Sequence, residues 1–503
     1  MVRGVARKTI RLAPVVAGGC VLAVGAAAWP FTVDDAFIVA RFAERLARGA
    51  GWTMNDGPPA DGVTGPLAVL PGYLAALVGV DAVAAAKGVG LLASALAAAL
   101  AVRAVSRRAC GTRAAWLAVA LLGVGPTLGV WGAGGLETGL ATLCFTVAAL
   151  ATVKRPMGSG AVVGASLALL AWLRPELALA GGVLLGGLLL RSRRAGSVAI
   201  AIALVGAVSV VVFRLALFGH SLPLSLAAKP PDLANGLAYV ARAALLTGSG
   251  VGVTLVVVTL FRGRRGDRVL ALAVIAHALA LLVVGGDWMP GFRLAAPALP
   301  VIALLAATTA SRWHPKRAAR WAPVAVVLLA CSVPALDLVA ELPEVRAAGT
   351  ARDTAGRELA RWLATHAHTV ALVDVGYLAR ESGVEVVDLG GLTDRLVALA
   401  PGGHLGKHVD PGYLALRDPD TLVLHAATSP EVDRDRQLRT LAGYPVEREV
   451  ASMPWVRARF RVARVVRYSP GYFYVVLTAP KTPVPGRSQV PEEGLPSRRR
   501  FGT

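Results

Sequence analysis

Apolar residues run through the first two thirds of this chain in long stretches, separated at short intervals by small groups of charged residues. A helix that crosses a bilayer needs roughly 20 predominantly apolar residues. The first stretch, Leu12 to Phe31, follows Arg3, Arg7, Lys8 and Arg11. It is longer than the ~7–15 residues of a secretory h-region, so it reads as an uncleaved first span. Further spans are predicted over 83–102, 114–131, 136–153, 160–173, 177–190, 196–217, 238–261, 269–285, 293–310 and 320–337. The run Pro66 to Val80 is decided by the charges around it. As a span it would place Arg103, Arg107, Arg108 and Arg113 outside, against the rule that Lys and Arg collect in cytoplasmic loops. As a helix lying on the membrane surface it leaves eleven spans and one consistent pattern. The N-terminus, Arg103 to Arg113, Lys154–Arg155, Arg191 to Arg194, Arg262 to Arg268 and Arg312 to Arg320 then all face the cytoplasm.

From Glu341 to about Leu477 the pattern becomes that of an α/β domain. Arg357 to His366 reads as a helix, and Val370 to Val373, Val384 to Val387 and Thr421 to Leu424 as buried strands. Arg459 to Tyr468 and Tyr472 to Leu477 read as a closing pair of strands. The expected organisation is therefore an α-helical polytopic membrane region, 1–337, with a first outer loop at 32–82. An extracytoplasmic α/β domain follows at 338–480, and a tail at 481–503, rich in Pro, Gly, Ser and Arg, is expected to be disordered.

Composition agrees with this. Of 503 residues 55% are hydrophobic and only 17% charged, where a soluble chain has about a quarter charged. The mean hydropathy is +0.60. A net charge of +21 would suggest nucleic acid in a soluble protein. Here the basic cytoplasmic loops account for much of it, so the expected partners are membrane lipids and not nucleic acid. Cys20, Cys110, Cys144 and Cys331 are scattered without CxxC spacing, which speaks against a disulfide framework or a zinc site.

The topology gathers the unusual polar residues on the outer face. Asp34 and Asp35 stand just beyond the first span. Two adjacent carboxylates at a membrane boundary need solvent, a partner or a bound cation. One Asp would suffice to cap the amphipathic helix expected over Ala36 to Arg48. The pair reads as a catalytic base with its partner, in either order, and as a possible seat for a divalent cation such as Mg or Mn. Glu137 sits in the turn Gly134 to Thr138, and Arg174 and Glu176 flank Pro175 in another. His220 and Lys229 lie in the loop Gly219 to Gly236, and Asp287 and Arg293 in the glycine-rich turn Gly285 to Arg293.

Carboxylates and cations around a membrane-level cavity suit transfer from a lipid-linked phosphate. A carboxylate takes the proton of an attacking hydroxyl, while Arg, Lys or a metal stabilises the departing phosphate. A transporter or flippase of lipid-linked sugars would be expected to carry its charges within spans, near the midplane. These spans are almost free of charge, which favours an enzyme. A non-catalytic subunit of an envelope-assembly complex is a third reading, with the C-terminal domain as its docking surface.

The ordered series DDAFI-x-x-RFAERLARGAGWTMN, GGLET, LRPE, FGHSLP…AAK and GGDWMPGFRLAAPALP resembles the GT-C glycosyltransferases. In particular it is similar to the terminal beta-arabinofuranosyltransferases of mycobacterial cell walls and their bacterial relatives. VDVGYLA and VVDLGGLTD extend the resemblance into the C-terminal domain. The resemblance implies a GT-C fold in a bacterial inner membrane, N-terminus cytoplasmic, and a polyprenyl-phosphate sugar as donor. It further implies transfer with inversion to an envelope glycan or other hydroxyl acceptor outside the cytoplasm. An acidic residue of the first outer loop is catalytic in such enzymes, which by position points to Asp34 and Asp35. Arg174, Lys229 and Arg293 become candidates for the donor phosphate, and Glu137, Glu176, His220 and Asp287 for substrate contacts. The family's Glu-Gly-Tyr-Thr run is Asp61-Gly62-Val63-Thr64 here, and Leu224 replaces its Asn. These departures bear on sugar and acceptor, so arabinofuranose is one candidate.

Other signals are weaker. His404 and His408 have i,i+4 spacing, but Gly402, Gly403 and Gly406 argue against a helix that would align them on a metal. Asp374 and Asp388 each end a predicted strand beside glycine, where a turn role or contact with an acceptor glycan are both open.

Overall fold

The structure, a computed structural model, describes residues 2–108, 111–154, 158–246, 250–287, 289–312 and 322–480. The tail at 481–503 lies outside the described residues, as do Trp288 and most of the basic loop before Ala322. The chain begins with α1 (Val2–Ala27), α2 (Asp34–Ala47), α3 (Val69–Leu77) and α4 (Ala82–Arg107). α5 (Gly111–Gly123), α6 (Thr127–Gly132), α7 (Thr138–Val153), α8 (Ser159–Leu173) and α9 (Ala178–Arg191) follow. Then come α10 (Arg193–Phe218), α11 (Leu224–Ala228), α12 (Leu233–Leu246), α13 (Val251–Arg262), α14 (Arg265–Val284), α15 (Leu299–Ser311) and α16 (Ala322–Ala351).

Among the described residues α4, α10 and α14 are long and apolar enough to cross a membrane by length and composition alone; other apolar helices have 10–17 residues. Two expected spans are broken. The run 114–131 divides into α5 and α6 just before Pro126, whose ring denies the helix a backbone N–H. The run 238–261 divides into α12 and α13 ahead of Gly250, whose φ of +74° a helix does not tolerate. Both halves pack on α14. The ambiguous run at Pro66 yields a single 3-10 turn and the nine-residue α3. At 1.5 Å per residue α3 spans ~14 Å, too little for the ~30 Å hydrocarbon core.

Small residues let the helices touch closely, as lipid-embedded packing requires. A Cβ on Gly139 of α7 would lie 2.0 Å from the Gly90 carbonyl of α4, and one on Gly206 of α10 would lie 2.4 Å from Ala168 of α8. The loops that the charge pattern assigns to one side do meet. Asp267 at the start of α14 accepts from Arg108 at 2.6 Å and from Arg312 at 2.8 Å. At the opposite end Glu137, Arg174 and Glu176 come together.

α16 carries the chain without interruption past position 338 to Ala351. A π-helical turn (Arg352–Gly356) and α17 (Arg357–His366) lead into a five-stranded sheet. Its strands are β1 (Thr369–Leu372), β2 (Glu385–Asp388), β3 (Thr421–Ala426), β6 (Arg461–Ser469) and β7 (Tyr472–Thr478), ordered β2-β1-β3-β7-β6. β2, β1 and β3 are parallel, and β7 and β6 close the sheet antiparallel. A small ladder of β4 (Glu431–Val432) and β5 (Leu438–Thr440) was not anticipated from the pattern. Short helices fill the connections: α18 (Tyr377–Ser382), α19 (Arg395–Leu399), α20 (Pro411–Leu416), α21 (Pro445–Ser452) and α22 (Pro454–Arg459).

What positions the site is the weld between the first outer loop and this sheet. Asn55 acts as a strand edge, donating to the Val386 carbonyl at 2.7 Å and accepting from its N–H at 2.9 Å. Arg41, buried, donates to the carbonyls of Met54 at 2.9 Å, Val384 at 2.8 Å, and Ala379. Arg380 of α18 reaches back to Glu44 at 2.6 Å and Asp81 at 2.5 Å. Phe37, Phe42 and Met54 of the loop share one apolar core with Tyr377, Leu378 and Val386 of the domain.

Candidate functional site

Val33 precedes α2 in extended conformation and puts both carboxylates in the first turn, where the helix dipole favours negative charge. Neither caps its own helix. Asp34 instead caps a helix of the other domain: its oxygens accept the N–H of Gly376 at 2.7 Å and of Tyr377 at 2.8 Å, the entry to α18. A Cβ on Gly376 would stand 2.0 Å from the Asp34 carbonyl, so only glycine permits this approach.

Behind Asp34 lies a polar network of which only Asp374 was singled out from the sequence. Asp374, just after β1, accepts from His425 Nε2 and from the Tyr474 hydroxyl, each at 2.9 Å. His425 Nδ1 meets Glu447 at 2.6 Å. Both ring nitrogens therefore donate, which makes the ring an imidazolium. Burial would lower the His425 pKa, but Asp374 and Glu447 raise it to about 10. Burial works likewise against ionised Asp374, and His425 and Tyr474 outweigh it, holding Asp374 below its ordinary value. Asp34 pays for that neighbour. Burial first, then the charge of Asp374, lifts its pKa to about 8 against the two amide hydrogen bonds. Burial and Asp374 thus push Asp34 toward its protonated form, while the Gly376 and Tyr377 N–H groups hold it back. The signal in the sequence was His425 itself, a polar residue inside the continuous buried strand Thr421–Ala426.

Asp35 points elsewhere. Its side chain is 28% exposed and stands 3.9 Å from Arg293, whose guanidinium also bonds Asp287. The charges of Asp35 and Lys229 both act on His404. His404 Nδ1 lies 2.8 Å from the Gly390 carbonyl and so carries the hydrogen, leaving Nε2 as the ring's acceptor. Burial and then Lys229 lower the His404 pKa. His408 turns away from His404, outward to Glu449 at 2.8 Å. Lys229 has no ion pair among the described residues.

Glu137, Arg174 and Glu176 make one buried triad. Arg174 reaches Glu137 at 2.7 Å and Glu176 at 2.9 Å, with Thr138 at 3.3 Å. The charge of Asp287 reaches this triad as well. His220 belongs to a separate cluster, 3.8 Å from Asp61. Asp61 is bound at 2.5 Å by Arg214, a buried arginine near the C-terminal end of α10 that sequence reasoning passed over. Asp388 serves its turn, accepting from Gly390, Gly391 and Thr393.

The donor set for a cation between Asp34 and Asp35 is poor. Amides occupy both Asp34 oxygens, and no group of three ligand-type side chains gathers among the described residues.

No curated protein matches this chain. A family described as a domain of unknown function, DUF8728, matches residues 344–475. Among solved structures, ArnT from Cupriavidus metallidurans in the apo state is similar over 95% of this chain and 98% of its own. The TM-score is 0.55 at 12% identity. The same protein bound to undecaprenyl phosphate gives a TM-score of 0.53 at 14% identity, over 77% of this chain and 86% of its own. The fold is of the GT-C type. In this GT-C fold the helical part and the sheet domain meet at α2, where Asp34 faces the sheet and Asp35 faces the cations.

Proposed function

We propose that this chain is a membrane glycosyltransferase that takes a sugar from a polyprenyl-phosphate donor and passes it, with inversion, to a hydroxyl acceptor outside the cytoplasm. The observation that carries the reading is the division of labour between Asp34 and Asp35. Both Asp34 oxygens are engaged by backbone amides in the domain junction, whereas Asp35 is the open carboxylate beside Arg293 and is assigned as the base. The acceptor oxygen attacks the anomeric carbon while Asp35 takes its proton. The bond from that carbon to the phosphate oxygen breaks, and the electron pair leaves with the phosphate. Lys229, without an ion-pair partner among the described residues, and Arg293 stabilise that charge. Arg174, already held by two carboxylates, shapes the wall and orients Glu137 and Glu176. No step is routed through a divalent cation. ArnT bound to undecaprenyl phosphate supports a lipid phosphate as the leaving group. The basic clusters support an inner-membrane protein with its N-terminus in the cytoplasm and the sheet domain outside. Arabinofuranose and an envelope glycan are the sugar and acceptor suggested by the motifs.

Membranes containing the wild-type chain, Asp35→Ala or Lys229→Met, incubated with radiolabelled polyprenyl-phospho-sugars and envelope acceptors, test this. Transfer by the wild type that both variants lose is expected. Movement of the lipid-linked sugar without product, indifferent to Asp35, would establish the transporter instead. Normal envelope glycans in an Asp35→Ala strain but not in a deletion would establish the assembly subunit.

A further inference from the structure

Two connected cavities lie on the Asp34 side of α2, away from Arg293. The inner one, about 70 Å³, is bounded by Asp34, Asp374, Tyr377, Tyr468, Tyr474 and Arg352. The outer one, about 300 Å³, shares Thr32, Phe37, Arg352 and Tyr377 with it and opens past Trp29, Lys87 and Arg380. Asp35, Lys229 and Arg293 line neither.

Their chemistry selects a ligand class. The aromatic walls are set at angles to one another, Phe37 against Tyr377 at 5.0 Å and Tyr468 against Tyr474 at 5.3 Å, which offers ring faces and edges to an apolar surface. At the narrow end stand two carboxyl groups, good partners for hydroxyls. Arg352 lies over the Phe37 ring at 5.3 Å, and its Nη1 is buried without a hydrogen-bond partner. Such an orphaned donor is costly and awaits an acceptor. An anion is not what it awaits. Asp374 is held toward its ionised form at the inner end, and the cations of the outer cavity already have carboxylate, carbonyl or hydroxyl partners. Arg380 is held by Asp81 at 2.5 Å and Glu381 at 2.7 Å, and Arg352 and Arg357 share Asp353 at 3.0 and 3.8 Å. Lys87 donates to the Phe31 carbonyl and the Thr32 hydroxyl, each at 2.9 Å. A ligand with apolar C–H faces, several hydroxyls and no net charge fits this set, and that is a neutral sugar ring.

We propose that this groove is a carbohydrate-binding site that anchors the acceptor glycan by a ring other than the reacting one, seated in the outer cavity against Phe37 and Tyr377 with its hydroxyls directed inward to Asp34, Asp374 and Arg352 Nη1. The ring belongs in the outer cavity because the inner one admits only an edge. The identification as acceptor rests on the glycosyltransferase reading, whereas sugar binding itself does not.

The full chain in detergent micelles, without donor, is titrated with an arabinofuranosyl trisaccharide and a mannosyl trisaccharide and read by saturation-transfer NMR. Transfer of saturation to one of these neutral sugars is expected. Tyr468→Leu and Arg352→Gln should each weaken it about tenfold and raise the acceptor KM by a similar factor. Two variants at separate walls, each checked for an unchanged elution volume, guard against simple misfolding. Saturation transfer to neither trisaccharide, or transfer indifferent to both substitutions, overturns the site. So does displacement of the bound trisaccharide by millimolar inorganic phosphate, which would make the groove an anion site. The two readings fail separately. A wild type that binds the trisaccharide but transfers from no donor overturns the transferase and leaves the sugar site. A wild type that transfers, with an acceptor KM indifferent to both variants, overturns the sugar site and leaves the transferase.

Discussion

Replacing Asp34 by asparagine keeps the shape of the side chain and changes two things whose signs oppose each other. The wild-type carboxyl accepts two backbone N–H groups, from Gly376 at 2.7 Å and Tyr377 at 2.8 Å. An asparagine oxygen can accept one of them, but its NH2 then faces the other, donor against donor. An unpaired N–H in this junction costs about 1–3 kcal/mol. Against this stands the proton. The folded pKa, about 8, lies above the unfolded 3.8. A raised carboxyl contributes stability that is complete below the unfolded pKa and is lost as pH rises to the folded one. The wild type therefore weakens between pH ~4 and ~8, by at most ~1.4 kcal/mol per unit. The variant lacks that slope, and all other titrations are common to both proteins. Thermal unfolding of the purified chains in micelles, followed by near-ultraviolet circular dichroism, reads the difference. The asparagine variant should melt below the wild type at pH 4. The gap should close between about pH 4.5 and 6 and reverse by pH 8. A gap of constant size and sign across this range would show that Asp34 is ionised in the folded protein. It would then compete with Asp35 for the role of base.

Asp35→Asn should reduce transfer by about 10²–10⁴ with little change in acceptor KM, as loss of a general base does; steady-state kinetics with radiolabelled donor measures it. Arg174→Met leaves Glu137 and Glu176 without their guanidinium and should cost about 3–5 kcal/mol, seen as a lower melting temperature. Adding Glu137→Gln and Glu176→Gln should restore most of that loss. Gly376→Ala drives a methyl against the Asp34 carbonyl and should free the outer loop from the sheet domain, read as faster amide exchange in α18. For His425 the folded pKa, about 10, is raised above 6.5, so its share of stability is complete below pH 6.5 and lost by about pH 10. His425→Phe should remove that alkaline slope and lower stability at pH 6, as calorimetry would show.

The parts of the site that could be read from the chain are those carried by local pattern. Asp34 and Asp35 stood out because paired carboxylates beside an apolar run are costly unless used. Arg174 and Glu176 stood out as opposite charges flanking Pro175, and the structure pairs them at 2.9 Å. That His425 meets Asp374 and Glu447 was not legible. They come from β3, the end of β1 and α21, and nothing in their spacing says that three turns of a sheet domain converge on one imidazole. Arg214 was hidden because a single arginine late in an apolar run looks like a boundary residue; its partner Asp61 lies 153 residues away.

The sequence by itself determined the polytopic helical region, the side on which its charges collect, and the α/β character of the C-terminal domain. Each follows from a periodicity or a charge count over neighbouring residues, and lipid and water act on those locally. Tertiary structure alone set the two aspartates apart. Asp34 and Asp35 are chemically identical neighbours, and only their surroundings separate them. One is enclosed against Asp374 and the amides of α18, the other opens toward Arg293. A carboxyl's proton affinity is set by the charges and solvent within a few ångströms, and here those belong to residues more than two hundred positions away.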